Sequence, residues 1–170
     1  MAIPVISVVG RSGTGKTTLL ERLIRELKAR GYRVATVKHD THSFDIDQPG
    51  KDSWRHAQAG SDVVVISAPD RIATLKRLDR ELTLDEIVGM ISDVDIILTE
   101  GYKRGDKPKI EVVRSELSNS LISRLDNLIA VVTDGRLGGL SVPCFAHEDV
   151  EDLTDLLEQR FLKAGNSAAS

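Results

Sequence analysis

The chain has 170 residues, 41% hydrophobic and 29% charged, with a formal net charge of −3. That length suits one domain with its own apolar core, and the slightly acidic balance argues against a basic face for binding nucleic acid. Cys144 is the single cysteine, which excludes a disulfide framework or a multi-thiolate metal centre within one chain.

The first residues run directly into a strand, with no basic leader and no apolar stretch long enough to cross a bilayer. The expectation is a cytoplasmic protein without a membrane partner. Ile6-Ser7-Val8-Val9 is that strand, followed by Gly10-Arg11-Ser12-Gly13-Thr14-Gly15-Lys16-Thr17-Thr18 and an apolar helix. Residues 10–17 match G-x-x-x-x-G-K-[ST]. In that pattern glycines turn successive backbone N–H groups inward around a pyrophosphate, the lysine reaches the β- and γ-phosphates, and the hydroxyl ligates Mg²⁺. The helix that opens there adds its positive end. Gly10, Ser12, Gly13, Thr14, Gly15, Lys16, Thr17 and Thr18 are therefore expected to bind the phosphates of a nucleotide, with Thr17 on the metal.

Leu19, Leu20, Leu23, Ile24 and Leu27 follow at helical spacing, and Gly31 supplies a stop. Residues 34–37 read as a second strand, so the chain opens with a right-handed β-α-β unit. Residues 63–66, Val-Val-Val-Ile, form a wholly apolar run of the kind expected for a strand covered on both faces. Residues 71–75 are a further strand candidate. Thr83-Leu84-Asp85-Glu86 matches a capping box and predicts a helix carrying Ile87, Val88 and Ile91. Strands are expected at 94–99, 110–113 and 128–132, a last helix at 149–162, and a frayed tail at 163–170. Alternating strands and helices point to an α/β fold: a P-loop NTPase with a doubly wound, mostly parallel sheet flanked by helices. The expected organisation is a single nucleotide-binding domain over 1–162.

One connection breaks the rhythm. Residues 38–62 span about twenty-five positions where 2–6 is usual, and they carry His39, His42 and His56, several acids, and the one tryptophan, Trp54. A connection so long and so loaded with chemistry is read as functional.

A phosphate loop needs a carboxylate at the C-terminal end of a neighbouring strand to complete the Mg²⁺ shell. Ile96-Ile97-Leu98-Thr99-Glu100-Gly101 offers Glu100 there, whereas Asp95 precedes the apolar run and belongs at the far end. Lys16 and Glu100 are the candidate catalytic groups. Asp40, after the second strand, is a further candidate for the metal or its water. His39, His42, Asp45, Asp47 and His56 also invite a zinc or manganese reading, although Mg²⁺ already accounts for acids here. Lys38, His39 and Arg55 are the better candidates for contacts to phosphate or a second ligand. Asp134, ending the last long strand, is placed to accept the N1–H and exocyclic amine of guanine. Asp134-Gly135 would also make a turn without any ligand. Trp54 reads as a packing anchor, Lys103, Arg104, Lys107 and Lys109 as a solvated loop, and Arg11 as pointing to solvent.

Several segments together resemble the MobB family of molybdopterin-guanine dinucleotide biosynthesis adapter proteins. They are residues 10–18, Lys38-His39-Asp40-Thr41-His42, the run Phe44-Asp45-Ile46-Asp47-Gln48-Pro49-Gly50-Lys51-Asp52-Ser53-Trp54-Arg55, residues 57–60, Glu100-Gly101-Tyr102-Lys103 and Pro108-Lys109-Ile110-Glu111. The Asp-x-Asp-x-Pro-Gly-Lys-Asp-Ser run is much more specific than the phosphate loop. The resemblance implies a protein that binds GTP and Mg²⁺ with weak or no hydrolysis of its own. It would assist the guanylyltransferase MobA, which attaches GMP to molybdopterin, and the long loop would be a surface for MobA or for the pterin. The resemblance also implies a homodimer whose extended loops reach across to the partner subunit. The Glu-Gly after the strand is also similar to dethiobiotin synthetase, which keeps open an alternative: an ATP-dependent small-molecule kinase or ligase with a pocket for a phosphoryl acceptor.

Overall fold

A computed structural model describes residues 2–40, 46–118 and 120–163. The chain divides into two compact units, residues 1–39 with 87–170, and residues 40–86.

The first unit is a six-stranded sheet. Its strands are β1 (Val5–Gly10), β2 (Val34–Lys38), β5 (Ile96–Glu100), β6 (Lys109–Val113), β7 (Leu128–Thr133) and the short β8 (Cys144–Phe145). They lie in the order β2-β5-β1-β6-β7-β8, every neighbouring pair parallel. The chain winds to one side of β1 and then to the other, so the C-terminal end of β1 is the point where strand order reverses. Open α/β sheets place ligands in the crevice at that point.

Burial follows from this order. Every residue of β1, β6 and β7 is buried, six, five and six in turn. Ile6, Val8, Leu98, Ile110 and Val132 pack with Leu19, Leu23 and Leu27 of α1 (Lys16–Ala29) and with Leu153 and Leu157 of α4 (Val150–Leu157). On a second cluster, Leu121, Leu137, Leu140 and Val142 pack against Val113, Leu128 and Val131. Helix α1 ends where Gly31 takes φ +90°. The Gly31 N–H donates to Lys28 O and that of Tyr32 to Leu27 O, each at 3.0 Å, the paired bonds of a Schellman stop. After α4 the last turn, Glu158–Leu162, widens to π-helical geometry within the expected helix.

Two buried polar residues shape β6. Glu111 is 1% exposed, and its carboxylate accepts the N–H groups of Ile122 at 2.7 Å and Ser123 at 2.8 Å. Lys109, expected in a solvated loop, is instead a buried strand residue. Its ammonium donates to the carbonyls of Gly105 and Lys107 and so gathers the loop that precedes it. Burial pushes its pKa down.

The second unit contains α2 (Asp52–Gln58), the hairpin of β3 (Val63–Ala68) and β4 (Arg71–Lys76), and the start of α3 (Leu84–Val88). Helix α2 stops in the same way as α1: Gly60 N–H donates to Ala57 O and Ser61 N–H to His56 O. The expectation for residues 63–66 is corrected. They form an antiparallel hairpin with β4, not a strand of the parallel sheet. Only Val64 is buried, while Val63, Val65 and Ile66 are exposed. An apolar run meets either environment, and its composition does not say which. The capping box forms as read, with Thr83 N–H donating to Glu86 Oε2 at 2.8 Å and Glu86 N–H to Thr83 Oγ1 at 3.3 Å. The helix is shorter than expected: it closes at Val88, before Gly89, and leaves Ile91 outside.

Candidate functional site

The loop after β1 is built by its glycines. Gly10 takes φ +152°, and a Cβ there would lie 2.4 Å from the carbonyl oxygen of Val112, so β1 and β6 approach too closely for any side chain. Gly15, at φ +92°, is the residue from which α1 starts, and Leu19 N–H donates to its carbonyl at 2.9 Å. Between them Thr14 is buried and its hydroxyl donates to Arg11 O at 3.0 Å. Lys16 Nζ donates to the same carbonyl at 2.8 Å. Burial lowers the Lys16 pKa, the Glu100 carboxylate opposes this, and Lys103 adds to it. Ser12, Thr17 and Thr18 are exposed, and Arg11 is exposed as well, reaching Ser120 Oγ at 3.4 Å.

Glu100 is the last residue of β5, opposite Val8 of β1 and Lys38 of β2 in the parallel register. That places its carboxylate beside the start of α1. Thr17 Oγ1 lies 3.2 Å from both of its oxygens. Asp95 sits at the opposite end of the strand, as read, accepting from Arg33 N–H at 2.6 Å. Beyond Glu100 the backbone turns tightly. Gly101 takes φ +105° and its N–H donates to Val8 O at 3.1 Å; a Cβ on it would meet His39 Cβ at 3.1 Å. Tyr102 follows at φ +54°, costly for an aromatic residue, with its ring 4.7 Å from that of His39. Lys38 is exposed at the end of β2.

The remaining candidates are dispersed. Asp134 follows β7, and Ser115 N–H donates to its Oδ1 at 2.8 Å, a bond that holds the carboxyl below its ordinary pKa. Asp40 opens the second unit. In that unit Asp47 Oδ1 accepts the Ser53 hydroxyl at 2.9 Å ahead of α2, Trp54 is half-buried, and Arg55 and His56 are exposed. His42 and Asp45 lie outside the described residues. Among the described residues no three His, Cys, Asp or Glu side chains gather as a metal cluster.

Two residues next to the loop escape the sequence reading. Arg114 directly follows β6, and its Nε lies 3.4 Å from Thr14 O. His147 comes two residues after β8, and its carbonyl accepts from Arg22 Nη1 at 2.7 Å. A Cβ on Gly15 would lie 3.6 Å from Arg114 Nη2 and 3.7 Å from His147 Cε1. Arg114 was findable: it holds the same strand-end position as Glu100 and Asp134. His147 was not, because a two-residue strand leaves no periodicity to count.

Comparison with known proteins identifies the family. The sequence profile of the family described as "Molybdopterin guanine dinucleotide synthesis protein B", MobB, matches residues 5–134. A molybdopterin-guanine dinucleotide biosynthesis adapter protein of Haemophilus influenzae is 39% identical over 134 residues, covering 78% of this chain and 75% of that protein. Its counterpart in Escherichia coli K12 is 36% identical over 163 residues, covering 91% of each. A crystal structure of molybdopterin-guanine biosynthesis protein B superposes with a TM-score of 0.73 at 34% identity, covering 91% of this chain and 97% of that one. The loop at residues 10–17, Glu100 beside it and the parallel sheet beneath them thus belong to a member of the MobB family.

Proposed function

We propose that the chain is an adapter in molybdopterin guanine dinucleotide biosynthesis: it binds GTP with Mg²⁺ and serves a guanylyltransferase partner, MobA, that forms the dinucleotide. The observation that carries this reading is the Thr17 hydroxyl within 3.2 Å of both Glu100 oxygens, next to Lys16. A hydroxyl and a carboxylate are hard oxygen donors of the kind Mg²⁺ takes, with waters filling its other positions. Thr17 and Glu100 would hold the ion, with Asp40 a further candidate for its shell. Bound there, Mg²⁺ would neutralise charge on the β- and γ-phosphates. The N–H groups of residues 13–18 would cradle the phosphates, and Lys16 would exchange the Arg11 carbonyl for them. Asp134 would accept from guanine. Lys38 and His39 would meet phosphate or a second ligand, molybdopterin among the candidates.

Hydrolysis by the isolated chain would be slow, on the order of 10⁻³ s⁻¹, because no side chain is identified that positions the attacking water. The protein acts in the cytoplasm as a homodimer, a reading supported by the exposed apolar hairpin carrying Val63, Val65, Ile66 and Ile72. No helix among the described residues is long and apolar enough to cross a membrane. Titration calorimetry tests the reading. GTP with Mg²⁺ binds the wild-type chain, and Lys16→Ala weakens binding by about 1.5–3 kcal/mol through loss of a charge-assisted contact. A wild-type chain that takes up no GTP in the presence of Mg²⁺ overturns it.

A further inference from the structure

Three strands end on the flank of β1 away from Glu100, and each contributes a polar residue just past its end: Arg114 after β6, Asp134 after β7 and His147 after β8. Two of these, Arg114 and His147, stand beside Gly15, 3.6 and 3.7 Å from where a Cβ added to it would lie. The third is drawn to the same corner because Ser115, the neighbour of Arg114, holds its carboxylate. On the other flank stand Thr17 and Glu100, the pair suited to the metal and hence to the terminal phosphates. A nucleotide lying that way sends its nucleoside toward β6, β7 and β8.

Both residues have bonding capacity to spare. The Arg114 side chain makes one hydrogen bond, long at 3.4 Å, and no ion pair among the described residues. His147 Nε2 is buried without any hydrogen-bond partner, a rare state for a polar atom inside a folded chain. Burial, together with Arg114 and Arg22, disfavours the charged imidazole, while Asp134 and Glu148 work the other way. A neutral ring keeps one donor and one acceptor nitrogen, the pairing a ribose hydroxyl can use from either side. The Arg114 guanidinium offers a flat cationic face of the sort that lies against a purine.

We propose that Arg114 and His147 form the nucleoside-binding wall of this site, receiving the base and ribose of a purine nucleotide whose phosphates lie on residues 10–17. This inference rests on the nucleotide reading, and one experiment separates the two. The full chain is titrated with GTP, GDP and inorganic tripolyphosphate, each with Mg²⁺, as wild type, Arg114→Ala and His147→Ala. Each variant weakens GTP and GDP by about tenfold and leaves tripolyphosphate within about twofold of wild type. Equal losses for GTP and tripolyphosphate, or no loss for either, overturn the nucleoside wall while leaving the phosphate site standing. A wild-type chain that binds neither GTP nor tripolyphosphate removes both. Thermal melting without ligand accompanies each titration; if an alanine variant does not fold, Arg114→Lys and His147→Asn are read in its place by the same criteria.

Discussion

Strands β1 and β3 are both six residues long and both rich in valine and isoleucine, yet one is wholly buried and the other keeps a single buried residue, Val64. The difference lies in their neighbours. β1 has a parallel strand on each side, β5 and β6, and its side chains meet α1 and α4 in the core. β3 has one strand partner, β4, and α2 of its own unit packs against it. Hydrophobic sequence therefore records a demand for cover without stating whether the same chain supplies it.

The sharpest test of that contrast is Leu98→Ala in β5, fully buried beside β1. It should destabilise the chain by about 2–5 kcal/mol in urea unfolding, the cost of a cavity in a packed core. An intermediate effect is expected at the capping box of the second unit, where Thr83→Ala should cost about 1 kcal/mol. The Glu86 carboxyl in that box is held at about 2, chiefly by its hydrogen bond with Arg80. An acid whose pKa is depressed on folding adds stability above its ordinary value of 4.5, and that stability disappears as pH falls through the folded value. Glu86→Gln should therefore flatten the acid limb of the stability profile. The smallest effect belongs to Val65→Ser on the open hairpin. Measured at dilution where only single chains sediment, it should stay within about 0.5 kcal/mol. A loss as large as that of Leu98→Ala would mean this face is covered within one chain, and the contrast would fail.

The main sheet was legible because its strands end in punctuation with a mechanism. Gly10 and Gly15 bracket the loop after β1, Glu100-Gly101 closes β5, and Asp134-Gly135 closes β7. The pairing of Thr17 with Glu100 followed from requiring an acid one strand over. What escaped depends on long-range register. Nothing local to His147 says that β8 brings it to Gly15, and the strand-end place of Arg114 does not by itself say that β6 lies next to β1. Nothing local to Lys109 marks it as buried, because a lysine in a basic stretch looks solvated until the strand it begins is known. The hairpin was misjudged for the related reason that a run of β-branched residues carries no information about how many strands flank it.

The buried carboxylate of Glu111 gives β6 a property that packing alone would not. Its two acceptors are spaced for the consecutive amides of Ile122 and Ser123. Sliding the strand by one residue would offer those amides a hydrocarbon from Ile110 or Val112 instead. Apolar side chains tolerate such a slip far better than an ionised acid stranded without donors. This buried latch thus fixes the register of β6, and with it the spot from which Arg114 reaches the loop at residues 10–17.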